Sequence, residues 1–150
     1  MMKKVKVYTD GACSYNPGPG GWGVVLIYKK DMKEISGGCD FTTNNKMELT
    51  AVIEGLKRLK EPCKVELYSD SAYVVNAFEL NWVESWQERN WKNSKGEAVA
   101  NKNLWKELIE LTQFHKVTWI KVKGHADNEL NNRCDQLARA EVEKLLASKK

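Results

Sequence analysis

The chain has 150 residues, enough for one domain with a hydrophobic core, and its 42% hydrophobic and 29% charged content is ordinary for a soluble globular protein. Its longest obvious apolar run, residues 24–28, is far shorter than the roughly 18 residues of a membrane span, which argues against a membrane partner. The net charge of +4 suits an anionic partner.

The amino-terminal residues contain no apolar signal region, so we expect a cytoplasmic protein. The four cysteines form no CxxC pair, which argues against a zinc site and fits reduced thiols in the cytosol. No repeat or coiled-coil pattern demands an oligomer, so a monomer without an obligatory protein partner is expected.

The first half of the chain predicts an antiparallel meander of three strands followed by a helix. The predicted strands cover residues 3–10, 22–29 and 33–40, with a tight turn at 16–21. Apolar residues then recur at helical spacing, with Asn44 and Asn45 as the candidate caps of the helix.

The second half alternates helices and strands. Its predicted elements are a strand over 64–69, a helix containing Val74, Val75 and Phe78, a short helix with Trp82 and Trp86, a polar loop over 89–100, a helix with Leu104, Leu108 and Leu111, a strand over 117–122, and a last helix with Leu130, Cys134, Leu137 and Leu145. The whole chain, residues 1–150, therefore predicts a single α/β domain built on a mixed sheet with helices on both faces.

Two of the predicted strands end in the same pattern, in which alternating apolar residues are followed by Tyr, a hydroxyl residue, Asp, a small residue and Ala. The aspartates are Asp10 and Asp70. If the two strands are parallel neighbours, both carboxylates emerge at one edge of the sheet, where two unpaired negative charges repel each other unless a proton or a cation intervenes. Taken singly, Asp10-Gly11 is also a common turn, and Asp70-Ser71 is also a helix cap.

Two further carboxylates are positioned to join Asp10 and Asp70 in one site. Glu48 lies one turn into the first long helix, although Asn45-x-x-Glu48 also resembles a capping box. Asp135 lies at the edge of the apolar stripe of the last helix, where an ion pair with Arg139, four residues later, is the alternative interpretation.

Four sequence motifs carry a resemblance to a known family. They are Tyr8-Thr9-Asp10-Gly11, Thr43-Asn44-Asn45-x-Met47-Glu48-Leu49, Ser69-Asp70-Ser71, and Lys123-Gly124-His125 followed by Asn131-x-x-Cys134-Asp135. In this order and spacing, from about residue 4 to about residue 142, they resemble the motifs of bacterial type 1 ribonuclease H. The turn at residues 16–20 adds to the resemblance.

The resemblance implies the ribonuclease H fold, a five-stranded mixed sheet with three antiparallel strands followed by two parallel ones. It also implies endonucleolytic hydrolysis of the RNA strand of RNA–DNA hybrids, leaving 5′-phosphate and 3′-hydroxyl ends. It assigns Asp10, Glu48, Asp70 and Asp135 as ligands of two Mg²⁺ ions, for which Mn²⁺ can substitute. Four carboxylates match the preference of Mg²⁺ for oxygen ligands.

The resemblance further assigns residues that would contact or process the hybrid. His125, in a loop before the last helix, would aid proton transfer or product release, although an isolated loop histidine is usually only solvated. The residues that would bind the strands are Asn16, Thr43, Asn44 and Asn45 near the acidic cluster, and Trp82 and Trp105 in a channel for the DNA strand. Turn formation, helix capping and core packing are their ordinary structural roles.

The segment that forms a basic protrusion in the family is weakly charged in this chain. Residues 81–103 carry four basic and three acidic side chains. We therefore expect weaker hybrid binding, with a shallower salt dependence, than in a strongly basic relative.

Two other functions remain open at this point. One is DNA cleavage by a relative with the same fold, which the Asp10-Gly11-Ala12 stretch disfavours for the exonucleases, since their first strand carries an Asp-x-Glu pair. The other is a catalytically dead hybrid-binding module, which would be expected to have lost at least one of the four carboxylates.

Overall fold

The computed structural model describes residues 2–123 and 128–148. Its elements in chain order are β1 (Lys3–Cys13), β2 (Gly18–Tyr28), β3 (Asp31–Thr42), α1 (Asn44–Lys57), β4 (Cys63–Ser69), α2 (Ala72–Glu79), α3 (Trp82–Glu88), α4 (Lys102–Phe114), β5 (Lys116–Lys121) and α5 (Glu129–Ser148). Among these residues no helix is long and apolar enough to cross a membrane.

The five strands form one mixed sheet in the order β3-β2-β1-β4-β5. Strands β1, β2 and β3 are antiparallel neighbours, while β4 pairs parallel with β1 and β5 pairs parallel with β4. This confirms the predicted meander followed by parallel strands. It also confirms that β1 and β4 are parallel neighbours, on which the proximity of Asp10 and Asp70 depends.

The meander strands extend further than the sequence pattern indicates. Strand β1 runs to Cys13, which pairs with Gly20, and β2 begins at Gly18 inside the predicted turn. Glycines have low strand propensity, so the pattern stopped short of them. Here they are needed, because a Cβ at Gly21 or Gly23 would collide with backbone carbonyls of α5, which packs directly on this part of the sheet.

Helices cover both faces of the sheet. The larger core lies between the sheet and α1, α2 and α4, and includes Val7, Val24, Leu56, Leu67 and Leu108. A smaller core lies under α5 and is formed by Tyr8, Val25 and Cys134 with partly buried neighbours. Helix α5 packs on β1, β2 and β3. On its side of the sheet, Lys64 and Glu66 of β4 and Lys116 and Thr118 of β5 are exposed, so this part of the sheet is open among the described residues.

The cap of α1 differs from the sequence prediction. The helix begins at Asn44, and its N-cap is Thr43, whose hydroxyl accepts a hydrogen bond from the backbone N–H of Lys46 at 3.2 Å. Asn44 and Asn45 are the first helical residues, so their prediction as caps was wrong. Three consecutive residues can act as caps here, and propensity alone does not separate them.

Candidate active site

The first two carboxylates stand side by side on adjacent parallel strands: Asp70 directly follows β4, and Asp10 lies three residues before the end of β1. The register pairs Tyr8 of β1 with Tyr68 of β4, and Asp10 and Asp70 each lie two residues further on. Asp10 belongs to β1 itself, which excludes the turn interpretation, and one of its oxygens accepts a 2.9 Å hydrogen bond from the N–H of Gly11. Beyond β4, Ser71 rather than Asp70 caps α2 by accepting from the N–H of Val74.

The third carboxylate, Glu48, approaches from α1. A Cβ at Gly11 would lie 2.6 Å from the backbone nitrogen of Glu48, so only glycine allows α1 to approach β1 this closely. Glu48 is the fifth residue of the helix and is 6% exposed, which rules out the capping-box alternative.

Asp10, Glu48 and Asp70 form one cluster. Each offers a carboxylate oxygen such that the three oxygens lie within 4.8 Å of one another. The cluster lies in a cleft of about 400 Å³, which is also lined by Asp135 of α5. The structure thus brings together all four predicted ligands, three of them tightly and Asp135 at the border.

Burial and mutual repulsion both perturb the cluster. Burial, followed by the charges of Asp70 and Asp135, raises the pKa of Asp10 to about 7. Burial and then the charges of Asp10 and Asp70 raise the pKa of Glu48 well above its usual value. Without a bound cation, the folded protein therefore resists placing full negative charge at this position.

Asp135 has a second partner. Its carboxylate forms an ion pair with Arg139 one turn later, with an N···O distance of 3.1 Å. The alternative interpretation of Asp135 is therefore correct as well, since the residue both pairs with Arg139 and borders the acidic cleft. Its side chain is 21% exposed, more open to water than Asp10 or Glu48.

The residues fit divalent cations that prefer oxygen ligands. The cluster offers only carboxylate oxygens, the donors that Mg²⁺ favours. One of these atoms, Oε1 of Glu48, is buried without a hydrogen-bond partner among the described residues. A buried acceptor without a partner is rare in folded proteins, and a cation in the cluster would satisfy it.

The predicted strand-binding residues Asn16, Thr43, Asn44 and Asn45 gather at the start of α1. Asn44 and Asn45 line the acidic cleft. The side-chain oxygen of Asn16 accepts a 3.0 Å hydrogen bond from the N–H of Asn44, which ties the loop after β1 to the helix. Capping and substrate contact are compatible roles for these residues.

The two predicted tryptophans differ in exposure. Trp82 is 41% exposed at the start of α3, whereas Trp105 is fully buried. Trp105 packs against Phe78 and Trp86 and donates a 3.1 Å hydrogen bond to the hydroxyl of Tyr73. The prediction that Trp105 helps form the DNA-strand channel was therefore wrong as a direct contact, because a side chain without exposed surface cannot touch a ligand.

Sequence reasoning missed Tyr73. This residue lines the acidic cleft from the first turn of α2, and its hydroxyl accepts hydrogen bonds from Asn101 and Trp105. Its position three residues after Asp70, on a helix that begins at the cluster, was the available signal. His125, predicted to aid turnover, lies outside the described residues.

Comparison with known proteins supports the same family as the sequence motifs and the fold. Residues 2–143 match the RNase H family model. The chain belongs to the ribonuclease H family. It is 63% identical over 140 residues to a ribonuclease H of Thermoanaerobacter sp. (strain X514), covering 93% of this chain and 90% of that protein. It is 62% identical over 143 residues to a ribonuclease H of Acetivibrio thermocellus, covering 95% and 97%.

Solved structures confirm the ribonuclease H fold. LC9-RNase H1, described as a type 1 RNase H with the type 2 active-site motif, superposes with a TM-score of 0.86 at 30% identity, covering 97% of this chain and 74% of that one. LC11-RNase H1 in complex with an RNA/DNA hybrid superposes with a TM-score of 0.66 at 22% identity, covering 95% of this chain and 99% of that one. At this identity the likeness shows the fold alone. By its family the protein is a hydrolase of the nuclease class.

Proposed function

We propose that this ribonuclease H family member cleaves the RNA strand of RNA–DNA hybrids endonucleolytically, with two Mg²⁺ ions held by Asp10, Glu48, Asp70 and Asp135. The observation that carries the proposal is the cluster of three carboxylates within 4.8 Å of one another, with the fourth on the same cleft. Close relatives named ribonuclease H support it, and so does the hybrid bound by LC11-RNase H1, a protein of the same fold.

The carboxylates would hold the cations at the reacting position. When bound, two divalent cations lower the pKa of an attacking water and stabilise charge on the leaving oxygen of a phosphodiester. Asp10 and Glu48, fixed by β1 and α1, would bind cations from the buried side, and Asp70 would bind them from the end of β4. With Mg²⁺ the products would carry 5′-phosphate and 3′-hydroxyl ends, and Mn²⁺ would substitute.

Selection of a hybrid requires contacts that distinguish a strand with 2′-hydroxyls from one without them. Asn44 and Asn45 line the cleft beside the cluster, and we expect their amides to contact both strands in the minor groove. Asn16 is bonded to the same helix start, and Thr43 would hold a DNA phosphate there. Trp82, exposed at the start of α3, is the remaining candidate for the DNA-strand channel.

Several expectations from the sequence belong to the same proposal. They are a single catalytic domain over residues 1–150, a monomer without an obligatory protein partner, a cytoplasmic location, and a supporting role for His125 in proton transfer or product release. For His125→Ala we expect slower turnover without complete loss, and either wild-type turnover or total inactivity contradicts that role.

The test is cleavage of an end-labelled RNA–DNA hybrid on a denaturing gel. It compares Mg²⁺ with EDTA, the wild type with Asp10→Asn, and the hybrid with both homoduplexes. Cleavage of the RNA strand that is confined to the hybrid, requires Mg²⁺ and is lost in Asp10→Asn establishes the function. Cleavage of duplex DNA indicates a DNA-cleaving relative instead, and tight hybrid binding without cleavage indicates a dead nuclease.

A further inference from the structure

The open face of the sheet carries a row of three lysines. Lys4 of β1 pairs in register with Lys64 of β4, which pairs in turn with Lys116 of β5. All three are exposed and point to the same side, because the residues that follow them, Val5, Val65 and Val117, face the core. Neighbouring strands are about 4.8 Å apart, so three positive charges stand side by side.

Among the described residues, the three lysines of this row form no ion pair. Like charges directly opposite each other on a sheet destabilise it, and opposite charges would have been an easy alternative. The arrangement is therefore unfavourable for folding alone and indicates an anionic ligand.

The lysines lie in a concave groove rather than on a convex surface. The groove has a volume of about 720 Å³, and Lys6 and Lys29 line it as well. Among the described residues that line the groove, the one acidic side chain is Glu66, which accepts a 3.5 Å hydrogen bond from the hydroxyl of Tyr68. Five lysines against one glutamate give a surplus equal to the net charge of the whole chain, +4.

The groove lies apart from the acidic cleft. Along β1, Lys4 precedes Asp10 by six residues, a distance of about 20 Å in an extended strand. No described residue lines both the groove and the cleft. The groove is therefore a basic surface separate from the cleft. It begins near the amino ends of β1 and β4, and no described residue of the segment 81–103 lines it.

We propose that this lysine groove binds a single strand of nucleic acid through its phosphates, outside the duplex that is cleaved. Lysine binds phosphate as a point charge, whereas arginine is enriched where an anion is recognised by paired hydrogen bonds. The described residues that line the groove include five lysines and no arginine. The row from Lys4 to Lys116 spans two strand spacings, about 10 Å, so adjacent lysines can meet successive phosphates of one chain.

Binding in the groove is independent of base sequence. Its aromatic residue, Tyr8, is buried and stacks on Tyr68 with ring centroids 4.3 Å apart, so it offers no open face to a base. Contacts to phosphates position a strand but carry no sequence information. The groove would hold a flanking single strand while the cleft acts on the hybrid.

The test measures binding of a fluorescent oligothymidylate of about 12 nucleotides, a length typical of one protein groove, by fluorescence anisotropy in EDTA. The test variant is Lys64→Gln/Lys116→Gln. The matched control, Lys33→Gln/Lys57→Gln, removes the same charge from residues outside the groove. We expect the test variant to bind about tenfold more weakly and its salt slope to fall by about 1.4, which is two contacts of 0.7 each, while the control stays near the wild type.

Equal affinities of the test and control variants overturn the proposal. So does a polyglutamate peptide of the same length that displaces the oligonucleotide more effectively than unlabelled oligothymidylate, because the groove would then serve an acidic protein segment. Cleavage of a blunt hybrid in Mg²⁺ is measured in parallel and should be unchanged in the test variant. Since binding is measured without metal, failure of the groove and failure of the proposed nuclease activity are distinguishable.

Discussion

Strands β1 and β4 place like charges side by side at both of their ends. At the carboxyl ends stand Asp10 and Asp70, and near the amino ends stand Lys4 and Lys64. Asp10 is 4% exposed and its pKa is raised to about 7, whereas the lysines are exposed to water, which screens their repulsion. Burial therefore decides how strongly the like charges destabilise the folded protein. The buried carboxylates need a counterion, whereas the exposed lysines are tolerated without a ligand.

The largest expected effect is the loss of activity when the acidic cluster loses a carboxylate. Asp70→Asn should lower the rate of hybrid cleavage by about 10²–10³-fold, the usual cost of removing one group that supports transition-state charge, because the cations would lose a ligand. Asp135→Asn should lower it less, since Asp135 lies at the border of the cluster and is shared with Arg139. Single-turnover cleavage at saturating Mg²⁺ measures both, and an equal loss in the two variants contradicts this ranking.

A change in backbone spacing should also affect the acidic end alone. Gly11→Ala would push α1 away from β1, because its methyl group meets the backbone of Met47 and Glu48. A displacement of about 1 Å at a catalytic centre can lower the rate on the order of 100-fold. The cleavage rate and oligothymidylate binding are measured together, and a parallel loss of both would show that the variant is merely misfolded.

The repulsion among the buried carboxylates should be visible in the stability of the metal-free protein. The raised pKa of Asp10 means that the folded state holds its proton more tightly than the unfolded chain, so stability falls as pH rises from about 4 to about 7. Asp10→Asn should therefore stabilise the protein by roughly 1–3 kcal/mol near pH 8 and by much less near pH 4. Urea unfolding in EDTA measures this difference.

Added Mg²⁺ provides the control for that experiment. It should stabilise the wild type more than Asp10→Asn, because a ligand that binds only the folded state raises its stability. A stabilisation by Asp10→Asn that is the same at both pH values would contradict an origin in the carboxylate charge.

The smallest expected effect is at the basic end. Lys64→Gln removes the central charge of the lysine row and should stabilise the protein by about 0.2–0.5 kcal/mol at low salt, with the gain vanishing near 1 M salt. Lys33→Gln, from the other face of the sheet, is the comparison. A destabilised Lys64→Gln protein would show that the lysine stem contributes packing that exceeds the repulsion.

Much of the fold and two of the four predicted metal ligands could be predicted from residue patterns. Alternating apolar and polar residues predicted the strands, and the sequence pattern shared by the ends of two strands predicted the pairing of Asp10 and Asp70. Glu48 and Asp135 needed the family resemblance, because a single carboxylate on a helix looks like any surface acid until the helix is packed against the sheet. The lysine row could not be predicted without the strand order, since Lys4, Lys64 and Lys116 meet only after three distant segments pair in register.

The misses have the same origin. Trp105 was assigned to the DNA-strand channel by resemblance, and the sequence alone could not show its burial, because that burial depends on Tyr73, Phe78 and Trp86. The glycine-rich start of β2 was read as a turn because its strand pairing is favoured by the packing of α5 rather than by propensity.

The contact at Gly11 has a consequence for the apo enzyme. The separation between Asp10 and Glu48 is set by how closely the backbones of β1 and α1 approach each other. They can approach this closely because Gly11 has a hydrogen atom where other residues have a Cβ. Backbone contact does not depend on ionic conditions. The distance between the two carboxylates should therefore stay the same whether or not metal is bound, so that the site is preorganised for the ion.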